Sequence, residues 1–474
     1  MTDHSHSIIP ARLPEPSLRP PLDPGFLSAA LWTRAFAAQC QASPGARPVT
    51  LALERPDGTV SVQETCVLPE DPVTAALDLR HVERLVKFLL WQRGGARVLV
   101  AGAPEVAAAL GGLYREGGVR AFDAWFMGAK VYGTPLVIEA RRLEDMPAAK
   151  ETAMPLGRHL DGCRIGFDLG GSDRKCAALI EGEVVFSEEI AWDPYFQNDP
   201  QYHYDGIMDS LRRAAAHLPR VDAIGGSAAG VYVNNEVRVA SLFRGVSPED
   251  FERRIRRIFF DLQGAWGGIP FEVVNDGEVT ALAGSMAMNE NRVLGISLGT
   301  SMAAGYVDAA GSIRPWLNEL AFAPADYRKD GPRDEWSGDA GCGVQFFSQQ
   351  AVARLVPAAG IELPPDMKFA EQLIEVQALM ARGDARARRL YETIGVCFGH
   401  ALAHYAEFYD VAHILILGRV TSGEGGEIII AKAREALAAD FPALAGRLSL
   451  STPDETQKRH GQAVAAASLP PLPR

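Results

Sequence analysis

Hydrophobic and polar positions alternate along residues 48–66, PVTLALERPDGTVSVQETC, on both sides of Pro56-Asp57-Gly58. A two-residue period around turn-forming residues is typical of a β-hairpin. Apolar residues then recur at helical spacing over 79–93, and ARVLVAG (96–102) has the pattern of a short buried strand before another helix. The pattern therefore predicts an N-terminal α/β module over 26–155, and nothing in it indicates a catalytic role.

Beyond residue 160, short apolar strands alternate with amphipathic helices. Strands are predicted within 163–190, at 223–230 and 271–276, within 293–308 and at 413–418, and helices at 205–217, 277–287, 368–409 and 427–438. Glycine-rich turns interrupt the first and fourth of these strand regions. Such alternation predicts α/β layers with a ligand in a cleft beyond the ends of the strands.

Length and charge narrow the class of protein. A chain of 474 residues is long enough for two or three domains, and its formal net charge of −12 disfavours a nucleic acid or a membrane surface as partner. Six cysteines without paired spacing are typical of reduced thiols. Residues 1–25 lack an apolar core, so we predict a disordered or extended arm there and not a signal peptide. We expect a cytoplasmic protein.

The first glycine turn lies in IGFDLGGSDRK (165–175), where Asp168 ends an apolar run just before Gly170, Gly171 and Ser172. Glycines allow a phosphate chain to approach backbone N–H groups closely, and a carboxylate beside them is suited to holding Mg²⁺ through water. The spacing fits neither a dinucleotide-binding fingerprint nor a P-loop. Taken alone, the pattern also fits a tight hairpin with an incidental aspartate.

A second turn, ISLGTSMAAGYVD (296–308), repeats this arrangement with Gly299, Thr300 and Ser301 between apolar runs. Two such hairpins could hold one phosphate chain from both sides. Either motif alone has a high false-positive rate, whereas the pair is more specific.

Asn275 and Asp276 lie between the two turns, at the end of the strand FEVVND and immediately before a helix. Asp276 could cap that helix, a common use worth about 1 kcal/mol. It could also be the general base that takes a proton from an alcohol nucleophile. Its position between two phosphate turns favours the second interpretation.

The order of these motifs resembles the actin-like ATPase and sugar kinase superfamily, and within it the ROK (repressor, open reading frame, kinase) sugar kinases, over about 163–470. The resemblance implies a two-lobed, ribonuclease H-like α/β kinase fold with the N-terminal module added to it. The first lobe would comprise 160–285 with a returning helix at 454–469, and the second lobe 286–453.

The resemblance also implies roles for individual residues. ATP would be bound by Asp168, Gly170, Gly171, Ser172, Gly299, Thr300, Ser301 and Gly418, the last in ILILGRVTSGEGG (414–426). Asp276 would be the catalytic base, and Asp168 would hold Mg²⁺ through water. Asn275 and Glu319 would bind sugar hydroxyls, with Asn234 and Asn235 as further candidates.

The chain departs from the family where a structural zinc is expected. In EWSGDAGC (335–342), Glu335 and Ser337 replace two cysteines, and Phe322 stands in place of the zinc-binding histidine. Only Cys342 remains of four ligands, so we expect no zinc site. His400 and His404, four residues apart, fit a packed or solvated helix face better than a metal site.

A further departure is Asp173, where many family members carry a lysine. Arg174 or Lys175 could supply the missing charge from shifted positions.

These features predict an ATP- and Mg²⁺-dependent sugar kinase that phosphorylates a hexose-like hydroxyl. Two alternatives stay open: a kinase for a modified sugar or another small polyol, and a nucleotide- or sugar-sensing protein without turnover. The expected partner is a small sugar, with no nucleic acid or membrane and with a possible homodimer.

Overall fold

The computed structural model describes residues 15–151, 156–452 and 455–473. Its N-terminal module contains one mixed sheet in the order β2-β1-β3-β4, flanked by helices. Its elements are α1 (Ala29–Ala42), β1 (Arg47–Glu54), β2 (Val60–Val67), α2 (Ala75–Arg93), β3 (Arg97–Ala101), α3 (Pro104–Tyr114), α4 (Ala121–Trp125), a π-helix (Phe126–Tyr132), β4 (Val137–Ala140) and a 3₁₀ turn (Leu143–Asp145). The predicted hairpin is confirmed, because β1 and β2 pair antiparallel around Pro56-Asp57-Gly58.

The first lobe is built on a five-stranded sheet in the order β11-β8-β5-β6-β7. Its elements are β5 (Cys163–Leu169), β6 (Asp173–Ile180), β7 (Glu183–Ala191), α5 (Pro200–Ala215), β8 (Ala223–Ala228), β9 (Val231–Val233), β10 (Glu236–Val239), a 3₁₀ turn (Ser241–Phe243), α6 (Pro248–Asp250), a π-helix (Phe251–Ile255), α7 (Ile258–Ala265), β11 (Phe271–Asn275) and α8 (Asp276–Met288). β5, β8 and β11 are parallel, so their carboxyl ends meet at one edge.

The second lobe has a four-stranded sheet in the order β13-β12-β14-β15. Its elements are β12 (Val293–Leu298), β13 (Met302–Val307), α9 (Val344–Phe347), α10 (Gln349–Ala358), α11 (Phe369–Ala381), α12 (Ala385–Tyr405), β14 (His413–Leu417), a 3₁₀ turn (Arg419–Thr421), α13 (Glu424–Asp440), α14 (Pro442–Ala445) and β15 (Ser449–Ser451), after which α15 (Glu455–Ala467) returns to the first lobe.

The prediction of one continuous helical block over 368–409 is wrong. α11 ends at Ala381, and Gly383 has a left-handed φ of +77° that ends the helix. Asp384 then caps α12 by accepting a hydrogen bond from the backbone N–H of Arg386 at 2.8 Å.

The closing helix α15 lies directly on the first sheet because two strand positions lack a side chain. A Cβ added at Gly166 would come within 1.7 Å of the carbonyl oxygen of Ala463, and one at Gly225 equally close to that of Ala466. These glycines therefore fix the approach of the last helix, as the close packing of a helix on a strand requires.

The N-terminal module packs against the second lobe. Phe88 on α2 lies 4.3 Å from Phe408 between ring centres, and Phe26 lies 5.6 Å from Phe346. One cluster of buried apolar residues runs through both units. In the described part of the first 25 residues, Asp23 forms ion pairs with Arg328 and Arg354, both at 2.9 Å. No helix among the described residues is long and apolar enough to cross a membrane.

Candidate active site

The end of β11 and the start of α8 bring Asn275 and Asp276 to the edge of the first sheet. Asn275 is the helix cap: its Oδ1 accepts from the N–H of Gly277 at 2.7 Å, and its Nδ2 donates to the carbonyl of Gly230 at 2.7 Å. Asp276 Oδ1 also accepts from Gly277, at 2.9 Å, whereas no donor among the described residues reaches its Oδ2. Asn275 therefore provides the main cap of α8, and one carboxylate oxygen of Asp276 is not needed for capping.

Three carboxyl groups near this helix start have raised pKa values. Burial, followed by the charge of Asp168, raises the pKa of Asp276 to about 6. Burial and the charge of Asp276 raise the pKa of Glu319 to about 7. Burial raises the pKa of Glu278 to about 8, against the opposing hydrogen bond from Asn318. The charge of the metal candidate Asp168 thus acts on the predicted base Asp276, and the charge of Asp276 acts on the predicted sugar ligand Glu319.

Glu278 was not singled out in the sequence, although it follows Asp276 by two residues. Its Oε1 accepts from Nδ2 of Asn318 at 2.5 Å, and Oδ1 of Asn318 accepts from the hydroxyl of Tyr409 at 2.6 Å. Asn318 immediately precedes Glu319 and has a positive φ of 50°. This buried chain of hydrogen bonds therefore ties the turn that carries Glu319 to the helix that carries Asp276.

Asp168 is the second-last residue of β5, beside the first glycine turn. Its Oδ1 accepts from the hydroxyl of Ser227 at 2.6 Å, and its Oδ2 lies 3.8 Å from Nζ of Lys175. Lys175 also pairs with Asp173 at 3.2 Å. Arg174 projects to the other face, where it contacts Ser210 and Asp209. Of the two candidates to supply the missing charge, only Lys175 therefore faces the turn.

The glycines of the turns have different reasons to be glycine. A Cβ at Gly171 would meet the hydroxyl of Tyr195 at 2.1 Å, and a Cβ at Gly418 would meet the carbonyl oxygen of Leu298 at 2.4 Å. Gly418 also has a φ of +104°. At Gly299, by contrast, the nearest atom is the carbonyl oxygen of Ser301 at 3.7 Å, and φ is not positive. Neither packing nor backbone conformation requires that glycine, and the space above it is open to a ligand.

The remaining predicted ligands of ATP are placed as follows. Thr300 and Ser301 are exposed on the second turn, and Ser172 is exposed on the first. The first turn is closed by a hydrogen bond from the N–H of Gly170 to the carbonyl of Asp173 at 2.9 Å. Hard oxygen donors at Asp168 suit Mg²⁺, which keeps several water and phosphate ligands and needs few protein groups.

Asn234 and Asn235 form the turn of the β9–β10 hairpin, both with positive φ. The carboxamide of Asn235 is held by β11: it donates to the carbonyl of Phe271 and accepts from the N–H of Val273, both at 2.7 Å. Both asparagines border a cavity that also reaches Asn275. Asn234 is therefore the freer of the two to contact a ligand.

The loop 335–342 is held by aromatic and ionic contacts. Phe322 packs against Trp91 and Trp336, with ring centres 4.6 and 5.0 Å away. Cys342 is fully buried, and burial raises the pKa of its thiol to about 12. Among the described residues, no group of three or more His, Cys, Asp or Glu side chains is arranged to hold a metal ion.

Asp339, in the middle of this loop, is the centre of a buried ion network that the sequence did not predict. It contacts Lys87 at 3.0 Å and Arg84 at 3.2 Å, and it also pairs with Arg120. Glu83 and Asp123 complete a balanced set of three positive and three negative groups. The signal available in the sequence was the set of charges at 83, 84 and 87, which lie among the apolar residues Val82, Leu85, Val86 and Phe88 of α2.

The carboxyl end of α2 also holds the turn that carries Glu319, through backbone hydrogen bonds. The N–H of Glu319 donates to the carbonyl of Trp91 at 3.0 Å, and the N–H of Asn318 donates to the carbonyl of Gln92 at 2.9 Å.

His400 and His404 are buried on α12 among aromatic rings, including Phe26 and Phe88. They lie on a packed helix face, one of the two arrangements expected.

Comparison with solved structures identifies the fold. A ROK hexokinase from Thermus thermophilus is similar with a TM-score of 0.51 at 19% identity, and the match covers 64% of this chain and 96% of that chain. This chain has the ROK sugar-kinase fold. The remaining third of the chain lies outside the match, as expected for a ROK fold with an extra module.

Two other solved structures are similar to this chain. A ROK-family glucokinase from Streptomyces griseus, in complex with glucose and AMPPNP, has a TM-score of 0.47 at 20% identity, covering 65% of this chain and 98% of that chain. A ROK-family transcriptional regulator, a homolog of the E. coli MLC protein, has a TM-score of 0.49 at 20% identity. That match covers 69% of this chain and 81% of the regulator. No protein-family model and no curated protein matches the sequence.

Proposed function

We propose that this ROK-fold protein transfers the γ-phosphoryl group of ATP to a sugar hydroxyl, with Asp276 as the general base. The observation that carries the proposal is the position of Asp276 at the start of α8, with one carboxylate oxygen uncommitted and within electrostatic reach of Asp168 and Glu319. A carboxyl group with a pKa of about 6 is mostly ionised at neutral pH and still basic enough to accept a proton.

ATP would lie between the two glycine turns. The exposed hydroxyls of Thr300 and Ser301, the open space above Gly299 and the charge of Lys175 all suit a phosphate chain. Gly170, Gly171 and Ser172 line the opposite turn, and Gly418 shapes the segment proposed for adenosine. Asp168 would hold Mg²⁺ through water, and Mg²⁺ when bound neutralises charge on the phosphates.

The acceptor would occupy the cleft between the lobes. Glu319 and Asn275 bind its hydroxyls and orient the reacting oxygen, Asn234 lies at the rim of the adjoining cavity, and Asn235 shapes that rim. Asp276 accepts the proton as the oxygen attacks, so orientation and charge stabilisation provide most of the rate.

The test is sugar-dependent ATP hydrolysis or phosphorylation over a panel of hexoses and polyols, with and without Asp276→Asn. The proposal expects product with at least one acceptor and a loss of about 10²–10⁴-fold in the variant, as for removal of a general base. Asp366→Asn, an exposed aspartate of the second lobe, is the matched control and should retain full activity. Ligand binding without turnover across the whole panel would instead support a sensor.

A further inference from the structure

A cavity of about 150 Å³ lies where the N-terminal module meets both lobes. The module contributes Arg55 and Tyr132, the first lobe contributes the β9–β10 hairpin and Asn275, and the second lobe contributes residues 313–317. Asp276 adjoins this space, because it follows Asn275 and its charge acts on Tyr232, another lining residue. The cavity therefore reaches the residue that immediately precedes the proposed base.

Three arginines gather at this cavity. Arg55 and Arg314 line it, and the guanidinium groups of Arg93 and Arg314 each lie 5.3 Å from the centre of the Trp316 ring. Arg55 is 5% exposed and donates to the carbonyl of Arg93 and to the hydroxyls of Thr59 and Ser61. All three acceptors are neutral, although the hydroxyl of Ser61 in turn donates to the carboxylate of Glu151, and they do not use all five N–H groups of a guanidinium.

Arg314 forms an ion pair with Asp308 at 3.2 Å through Nε, which leaves its terminal nitrogens without a hydrogen-bonded carboxylate among the described residues. Arg55 and Arg93 donate to neutral acceptors and have no carboxylate within 4 Å in the described part of the chain. Nε of Arg93 is buried without a hydrogen-bond partner. Burial lowers the pKa of Arg93, and repulsion from Arg55 and Arg314 adds to this against the opposing charge of Glu151. Buried cations are normally paired, because an unpaired buried charge is costly.

The acidic residues of the cavity wall do not supply the missing pairing. Asp57 is exposed at the rim and accepts from the N–H and the hydroxyl of Thr59. Burial raises the pKa of Glu278 to about 8, and burial also raises that of Glu272. Glu278 is therefore mostly uncharged near neutral pH, and no acidic residue of the wall contacts the guanidinium group of Arg55 directly.

We propose that the acceptor is an anionic sugar, whose carboxylate or phosphate group binds to Arg55 and Arg314 in this cavity. The inference rests on the proposed kinase function and adds the class of its substrate. The planar fork of a guanidinium matches both kinds of anion, and such charge-assisted hydrogen bonds are the strong ones. With its anionic group held here, the sugar would extend past Asn275 toward Asp276.

The experiment compares matched acceptors that differ in charge. Glucose, glucuronate and glucose 6-phosphate, and the corresponding mannose and galactose series, are each tested for ADP formation and for binding by calorimetry. At least one anionic acceptor should exceed its neutral counterpart in kcat/KM by about tenfold or more, the usual size of a hydrogen bond to a charged group. The carboxylate and phosphate arms show which anion is used.

Variants connect that preference to the cavity. Arg55→Gln and Arg314→Gln should each raise KM for the anionic acceptor about tenfold or more while changing the neutral acceptor little. Arg141→Gln, an arginine on the surface of the same module, is the control and should change neither. Because Arg55 also supports its hairpin, Arg314→Gln provides the second, independent test.

The outcomes separate the two proposals. Phosphorylation of neutral sugars with no preference for anionic ones would overturn this inference and leave the kinase function standing. Binding of anionic sugars that depends on Arg55 and Arg314, without phosphorylation of any acceptor, would overturn the kinase function and support the anion site. Absence of both binding and turnover with every anionic sugar would overturn the inference.

Discussion

At the scale of single residues, the site is defined by carboxyl groups whose surroundings separate their pKa values. Asp276, at about 6, is mostly ionised at pH 7, whereas Glu278, at about 8, is mostly protonated. The two lie in the same first turn of α8. Neighbouring carboxyl groups held in opposite protonation states can take different tasks, here proton acceptance by Asp276 and structural hydrogen bonding by Glu278.

The pH dependence of catalysis should report Asp276. Its pKa is raised from the ordinary value to about 6, so the base is lost as pH falls through 6, and kcat/KM at pH 5 should be about one tenth of its plateau value. Initial rates between pH 5 and 8 measure this, with circular dichroism at each pH as the control for folding. A rate independent of pH between 5 and 7 would contradict the assignment.

Two adjacent residues of β6 allow a matched test of the phosphate turn. Lys175→Gln removes the charge that faces Asp168 and Asp173, so KM for ATP should rise about tenfold or more with little change in stability. Arg174→Gln removes a buried residue that contacts Ser210 and Asp209 on the other face. It should instead lower the melting temperature with a smaller effect on KM. The reverse pattern would refute the role of Lys175.

At the scale of elements, α2 of the N-terminal module positions the turn that carries Glu319. Its carboxyl end accepts hydrogen bonds from Asn318 and Glu319, and its side chains hold Asp339. Burial alone would raise the pKa of Asp339, yet the charges of Lys87, Arg84 and Arg120 lower it well below its usual value. Ion pairs of Asp339 therefore hold the loop in which the sequence analysis expected no zinc.

Asp339→Asn should destabilise the protein by about 3–5 kcal/mol, because it leaves buried cations without their shared partner. Chemical denaturation at pH 7 measures the loss. Asp330→Asn, at an exposed aspartate shortly before the loop 335–342, is the control with an expected change within about 0.5 kcal/mol. Equal stability of the two variants would show that the network contributes nothing.

Local signals explain what the sequence could predict. The hairpin around Gly58, the strand ends at Asp168 and Asn275 and the two glycine turns are set by neighbouring residues, and the structure places them as expected. The partners of Asp339 lie more than 200 positions earlier in the chain, so no local pattern indicates them. The hydrogen bonds between Asn235 and β11 likewise depend on tertiary contacts. The break in the helical block depends on the positive φ of a single residue, Gly383.

At the scale of the whole molecule, the N-terminal module is part of the core. Apolar residues of α2, α12 and the second sheet form one continuous cluster, which includes Phe88, Tyr405 and Phe346. A module attached only by a linker would keep its own core and a polar boundary. Here the module covers apolar surface of the second lobe and closes one end of the proposed acceptor cavity.

Cleavage between the module and the lobes should therefore not separate them. Arg142 is exposed between β4 and β5, so limited trypsin digestion can cut there while the native contacts remain. The two fragments should elute together in gel filtration and separate only in denaturant, because the shared core holds them. A shortened chain, 156–474, should conversely aggregate, since the faces around Phe408 and Phe346 would be open to water. Fragments that separate under native conditions, with the larger one soluble and folded, would show that the module is independent and that its wall of the cavity is dispensable.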